Sequence, residues 1–145
     1  MIKLTVLATL AFVMPLAVSA QGTPGSHFIE NWDLDASGAV SVEEIIERRE
    51  VVFNMFDDDQ NDSLDPAEYV IFDETRAADM ENNAGGHGAS GGRMQDGLTL
   101  AFNDTNADGK VSKEEFIANS AAWLAQVDRD GDGEITAADF GQQGN

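Results

Sequence analysis

Cysteine is absent from the 145-residue chain. Its absence excludes a disulfide framework, a thiolate nucleophile, a zinc–thiolate site and a lipid-modified N-terminal cysteine. Basic residues are scarce, with 8 Lys and Arg against 27 Asp and Glu, for a formal charge of −19. Binders of nucleic acid or anionic membranes need clustered positive charge, so neither partner is expected. Histidine is rarer still, with 2 in the chain. That leaves little for imidazole catalysis or a transition-metal cluster.

What is present begins with an apolar N-terminus. Lys3 supplies a short basic segment, Leu4 to Val18 an apolar stretch interrupted by Pro15, and Val18-Ser19-Ala20 a small-residue cleavage pattern. Residues 1–20 therefore read as a signal peptide, since the stretch is short for a membrane span. Export to a periplasm or to the exterior is expected, with no membrane attachment in the mature form. Cleavage would remove one lysine and no acid, leaving the mature chain more negative.

The acids are not scattered as on an ordinary solvated face. Segments 33–44, 57–68, 104–115 and 128–139 share one pattern. The first position holds Asp33, Asp57, Asp104 and Asp128. The third holds Asp35, Asp59, Asn106 and Asp130, and the fifth Ser37, Asn61, Asp108 and Asp132. An apolar residue follows at the eighth (Val40, Leu64, Val111, Ile135), and a carboxylate at the twelfth (Glu44, Glu68, Glu115, Asp139). Alternate residues of a tight loop point inward, so these oxygens converge, as a hard cation with six to eight oxygen ligands requires. The seventh position offers its backbone carbonyl, from Ala39, Ser63, Lys110 and Glu134. The sixth needs a left-handed backbone, which explains Gly38, Gly109 and Gly133, while Asp62 must adopt it in the second loop.

This spacing resembles the twelve-residue calcium loop of the EF-hand family. The resemblance covers most of the chain after residue 20 and implies an all-α fold. Two EF-hand pairs of helix-loop-helix units, at 21–82 and 93–145, are expected on either side of a Gly-rich linker at 83–92. It also implies oxygen-ligated Ca²⁺, with Mg²⁺ or a lanthanide competing at some sites. The third loop is expected to be the best formed. In the second, Asp65 at the ninth position adds a direct or water-mediated ligand. The fourth closes on Asp139, one methylene shorter than Glu. The compact spacing resembles bacterial periplasmic EF-hand proteins, lanmodulin among them. Lanmodulin loops, however, carry Pro at the second position, where Leu34, Asp58, Thr105 and Arg129 stand here.

The second pair of loops repeats the first, with Asp33 matching Asp104, Gly38 matching Gly109 and Glu44 matching Glu115. Pairing within each half is expected, Val40 facing Leu64 and Val111 facing Ile135 in short antiparallel ladders. One helix should leave each odd-numbered loop and enter the next, and Pro66 to Glu81 reads as a helix. His87, in the linker, reads as solvated. The expected role is a calcium buffer or structural calcium-binding protein. The alternatives are a calcium-gated interaction module with an unidentified protein partner, or a lanthanide-binding protein similar to lanmodulin. No catalytic residues are expected, because the convergent polar clusters are spent on metal.

Overall fold

The computed structural model describes residues 23–83 and 91–141. The expected signal peptide, His87 and most of the expected linker lie outside these residues. Helix α2 (Val42–Phe56) organises the rest. Ser41 caps it, accepting from the Glu44 amide while the Glu44 carboxylate accepts from the Ser41 amide. Ile45, Arg49 and Phe53 recur at four-residue spacing on one face and are all fully buried. That face packs on two helices of the second half, α6 (Lys113–Ala118) and α7 (Ser120–Val127).

Helix α1 (Ser26–Trp32) precedes the first acidic loop and β1 (Ala39–Val40) lies within it. After α2 come β2 (Ser63–Leu64) and α3 (Pro66–Asn82), the latter capped by Asp65 with Pro66 at its start. The second half opens with α4 (Gly91–Asp96) and α5 (Leu100–Asn103), then β3 (Val111–Ser112), α6 and α7. It ends with β4 (Ile135–Thr136) and the single-turn α8 (Ala137–Phe140). Gly91 and Gly92, expected in the linker, instead begin α4. No helix among the described residues is long and apolar enough to cross a membrane.

The strand pairing departs from expectation. Val40 faces Ile135 and Leu64 faces Val111, so β1 pairs with β4 and β2 with β3, both antiparallel. The expected Val40–Leu64 and Val111–Ile135 ladders do not form. The reason is the length of α2: its 15 residues extend roughly 22 Å at 1.5 Å per residue. That length holds β1 and β2 at opposite ends of one rod. The α6–α7 run separates β3 from β4 in the same way. Laid antiparallel, the two rods bring the first loop to the fourth and the second to the third. The pairing therefore crosses between the two halves.

The second rod is also broken where one helix was expected, with Asn119 separating α6 from α7. The carbonyls at the end of α6 go elsewhere. Phe116 O accepts from the Arg49 guanidinium, and Ile117 O from the Ser120 hydroxyl.

An aromatic cluster fills the end near α1. The Phe28 ring lies 5.2 Å from Trp32, 6.0 Å from Trp123 and 5.5 Å from Phe140. The Trp123 indole donates to Met94 O at 3.0 Å and lies against the backbone of Gly97. A Cβ on Gly97 would stand 1.8 Å from Trp123 Cδ1. Gly97→Ala should therefore destabilise the metal-loaded protein by about 1–3 kcal/mol through overpacking. Gly92→Ala, inside α4 and where a Cβ meets nothing within 4 Å, should be neutral or stabilising by up to about 1 kcal/mol. Denaturant unfolding of the two variants checks the contrast.

Candidate metal centres

Each acidic loop begins at a helix end and closes on the first turn of the next helix. The first-position Asp gathers the loop by accepting from the sixth-position amide. These bonds are Gly38 to Asp33 at 2.8 Å, Asp62 to Asp57 at 3.0 Å, Gly109 to Asp104 at 2.9 Å and Gly133 to Asp128 at 2.9 Å. The sixth position is left-handed in all four loops, with φ of +90°, +59°, +86° and +92° at Gly38, Asp62, Gly109 and Gly133. Asp62 thus takes the backbone expected of it. The fourth position is left-handed too, at Ala36, Gln60, Ala107 and Gly131. Only the last is glycine, so residue type gave no sign of the other three.

The twelfth-position carboxylate spans its loop from end to end. One oxygen accepts from the second-position amide: Leu34 to Glu44 at 2.7 Å, Asp58 to Glu68 at 2.9 Å, Thr105 to Glu115 at 3.2 Å and Arg129 to Asp139 at 2.7 Å. The other accepts from the helix N-cap, namely Ser41, Asp65, Ser112 and Thr136, at 2.8–2.9 Å. The shorter Asp139 therefore makes the same two ties as the glutamates. It sits in place with 1% exposure.

Three carboxylates converge at each of three loops: Asp33, Asp35 and Glu44; Asp57, Asp59 and Glu68; Asp128, Asp130 and Asp139. Within each trio, one oxygen per residue lies within 4.8 Å of the others. Oxygens so placed are within reach of one ion at about 2.4 Å. Loop three, expected to be the best formed, gathers no such trio among the described residues. Its third position is Asn106, whose Oδ1 accepts from the Asp108 amide at 2.8 Å.

Other expected ligands have local bonds. Asp65 Oδ1 accepts from the Ala67 and Glu68 amides at 2.7 and 3.0 Å, so Asp65 caps α3 and is not in the loop-two trio. The Ser37 hydroxyl donates to Ala39 O at 3.2 Å, and Asn61 Nδ2 to Asp59 Oδ2 at 2.8 Å. Asp132 Oδ1 accepts from the seventh-position amide of Glu134 at 3.0 Å. Asp108 Oδ1 accepts from Lys110, likewise at the seventh position, at 3.1 Å. Ser63, at the same position of loop two, pairs with Ser112 in the β2–β3 ladder.

The amide donors stabilise charged carboxylates. The Gly38 amide is the largest influence holding Asp33 below the usual carboxylate value, against the opposing effect of burial. At Glu44 burial pushes upward, but the Ser41, Leu34 and Asp35 amides and the Ser41 hydroxyl outweigh it and lower the pKa. At Glu115 the Ser112 amide leads, and the pKa falls from 4.5 to about 2. Asp130 goes the other way. The Asp132 amide pulls it down, yet burial and the carboxylates of Asp132, Asp139 and Asp128 raise it above its ordinary value. Repulsion of this kind among convergent oxygens is what a bound cation relieves. The donor set is oxygen throughout, with neither thiolate nor imidazole in the trios, which fits a hard cation.

No curated protein matches the chain. The EF hand family model matches residues 101–118 and 121–142, segments that contain the third and fourth loops and most of their flanking helices. The match supports an EF-hand family for this chain and, with the convergent acids, the binding of a metal ion.

Proposed function

We propose that the protein is an exported Ca²⁺-binding protein with four sites, acting as a buffer or as a structural calcium-binding protein. The observation that carries the reading is the twelfth-position carboxylate. In all four loops, including the two that the family match does not reach, it bonds both the second-position amide and the N-cap. Loops one and two thus have the same internal frame as loops three and four. Export rests on the sequence of residues 1–20. The reading is of a binding protein rather than an enzyme.

A second reading, a calcium-gated interaction module, is favoured by an open cleft of about 380 Å³. Phe28, Trp32, Val52, Met55, Phe56 and Trp123 contribute to its apolar lining, and Met55 is 68% exposed.

Loop coupling gives the first test. Glu115→Gln should lower the calcium stoichiometry by one and weaken loop two, its ladder partner, more than loop one. Calorimetry combined with amide-resolved titration measures both effects. Equal weakening of loops one and two would argue against transmission through the β2–β3 ladder.

Removing metal should lower helicity and melting temperature, because the carboxylates then repel one another. Titration of chelator-stripped protein with Ca²⁺, Mg²⁺ and La³⁺, followed by circular dichroism, should give a full response at millimolar Ca²⁺. La³⁺ should act at lower concentration through its extra charge. A response to La³⁺ alone would assign the sites to lanthanides. Hydrophobic-dye fluorescence that rises with Ca²⁺ would favour the gated module.

Acid should weaken the metal-free fold. A carboxylate whose folded pKa is depressed contributes stability above its unfolded value and loses that contribution as pH falls through the folded value. For Glu115 the loss runs from pH 4.5 down to about 2, and the lowered Asp33 and Glu44 act in the same direction. Asp130, which is raised, acts oppositely. Thermal melts in chelator should therefore fall across this window, and Glu115→Gln should flatten the fall.

A further inference from the structure

Loop three gathers no carboxylate trio among the described residues, yet a buried side chain ties its base. In the other loops the residues just before the first position and just after the twelfth are apolar or aromatic: Trp32 and Ile45, Phe56 and Tyr69, Val127 and Phe140. Loop three has Asn103 before Asp104 and Phe116 after Glu115. A single guanidinium joins them. Arg49 Nη2 donates to Asn103 Oδ1 at 2.6 Å and to Phe116 O at 2.6 Å, and Nε donates to Phe116 O at 2.9 Å. The Phe116 ring lies 4.0 Å beneath the guanidinium carbon. Asn103 is itself held, donating to Thr99 O at 2.9 Å and Gly97 O at 3.2 Å.

Arg49 and Asn103 are both fully buried, and the hydrogen bonds of Arg49 all go to neutral oxygens. A buried charge without a carboxylate is a costly way to fill a core, and apolar residues of similar volume often pack there more stably. Its geometry offers something that apolar packing does not. A planar fork fixes two oxygens at a set separation, and here they belong to the residues flanking the loop.

We propose that Arg49 is a positioning residue for the third metal loop. Its guanidinium ties the entrance of the loop to its exit and holds Asp104 and Glu115 at the separation that cage closure requires. This inference rests on the metal-binding function proposed above. Arg49 also lies on α2, whose first turn carries Glu44 and whose C-cap is Asp57. The clamp therefore refers loop three to the helix that joins loops one and two.

The experiment is an amide-resolved NMR titration of the full chain with Ca²⁺ alone, reading Gly38, Gly109 and Gly133. It compares the wild type with Arg49→Lys and Arg49→Met. Lysine keeps the charge but not the fork, and methionine keeps an unbranched, partly apolar filling. In both variants the Gly109 midpoint should move to about tenfold higher free calcium, the loss expected for one hydrogen bond to a charged group. Gly38 and Gly133 should move by less than about twofold. A uniform shift at every loop, an unchanged Gly109 midpoint, or loss of the calcium-loaded fold in both variants would overturn the clamp. Wild-type amides of Gly38, Gly109 and Gly133 that all ignore calcium would instead overturn the metal-binding reading itself, while silence of Gly109 alone would overturn the clamp together with its loop.

Discussion

One buried cation sits where the pieces of the fold meet. Burial lowers the Arg49 pKa to about 10, still high enough to keep the guanidinium charged at neutral pH. Its charge is spread over the carbonyls of Phe116 and Gly97, the Asn103 amide oxygen and the Phe116 ring. Tyr69 donates to Leu98 O beside it, and burial raises that phenol to about 12, so it stays neutral. Five pieces of the chain thus gather around one side chain: α2 itself, Tyr69 at the start of α3, the α4–α5 corner, the end of α6 and Trp123 of α7. Each must be in register with the others, because removing one partner leaves a buried charge poorly compensated.

The same helix that carries Arg49 dictates the pairing of loops. A straight rod cannot bring its own two ends together, so each end takes a partner from the opposite rod. The result is two acid-rich poles, one built from loops one and four and the other from loops two and three. Repulsion is concentrated within each pole. Across the interface the apolar faces of α2, α6 and α7 meet through Ile45, Phe53, Phe116 and Trp123, all fully buried.

The loops were legible because coordination demands oxygen at fixed positions, and such spacing survives without knowledge of tertiary structure. The start of α3 was equally plain, since Pro66 after Asp65 is a strong initiation signal. Pairing was not legible: Val40, Leu64, Val111 and Ile135 are chemically alike, and either arrangement buries them. The choice lay in the length of α2, which is a geometric property of the assembled rods. Arg49 is hidden by its neighbours, since it stands in a run of four charged residues, Glu47, Arg48, Arg49 and Glu50. Its four-residue spacing from Ile45 and Phe53 was the signal that placed it on the buried face. Asp65 was expected as a ligand, but a ninth-position carboxylate can also serve a helix N-terminus, and here it caps.

The two ladders are also nested: the β2–β3 contact lies, in sequence, inside the β1–β4 contact. Chain closure is cheaper over the shorter span, so the inner ladder has the smaller entropic barrier. The outer one joins Val40 to Ile135, across most of the described chain. During synthesis or threading from the N-terminus, the first loop therefore has no strand partner until the final loop has emerged. Completion is tied to the arrival of the C-terminal residues, and a chain cut short before β4 would leave its earliest-made loop without its ladder.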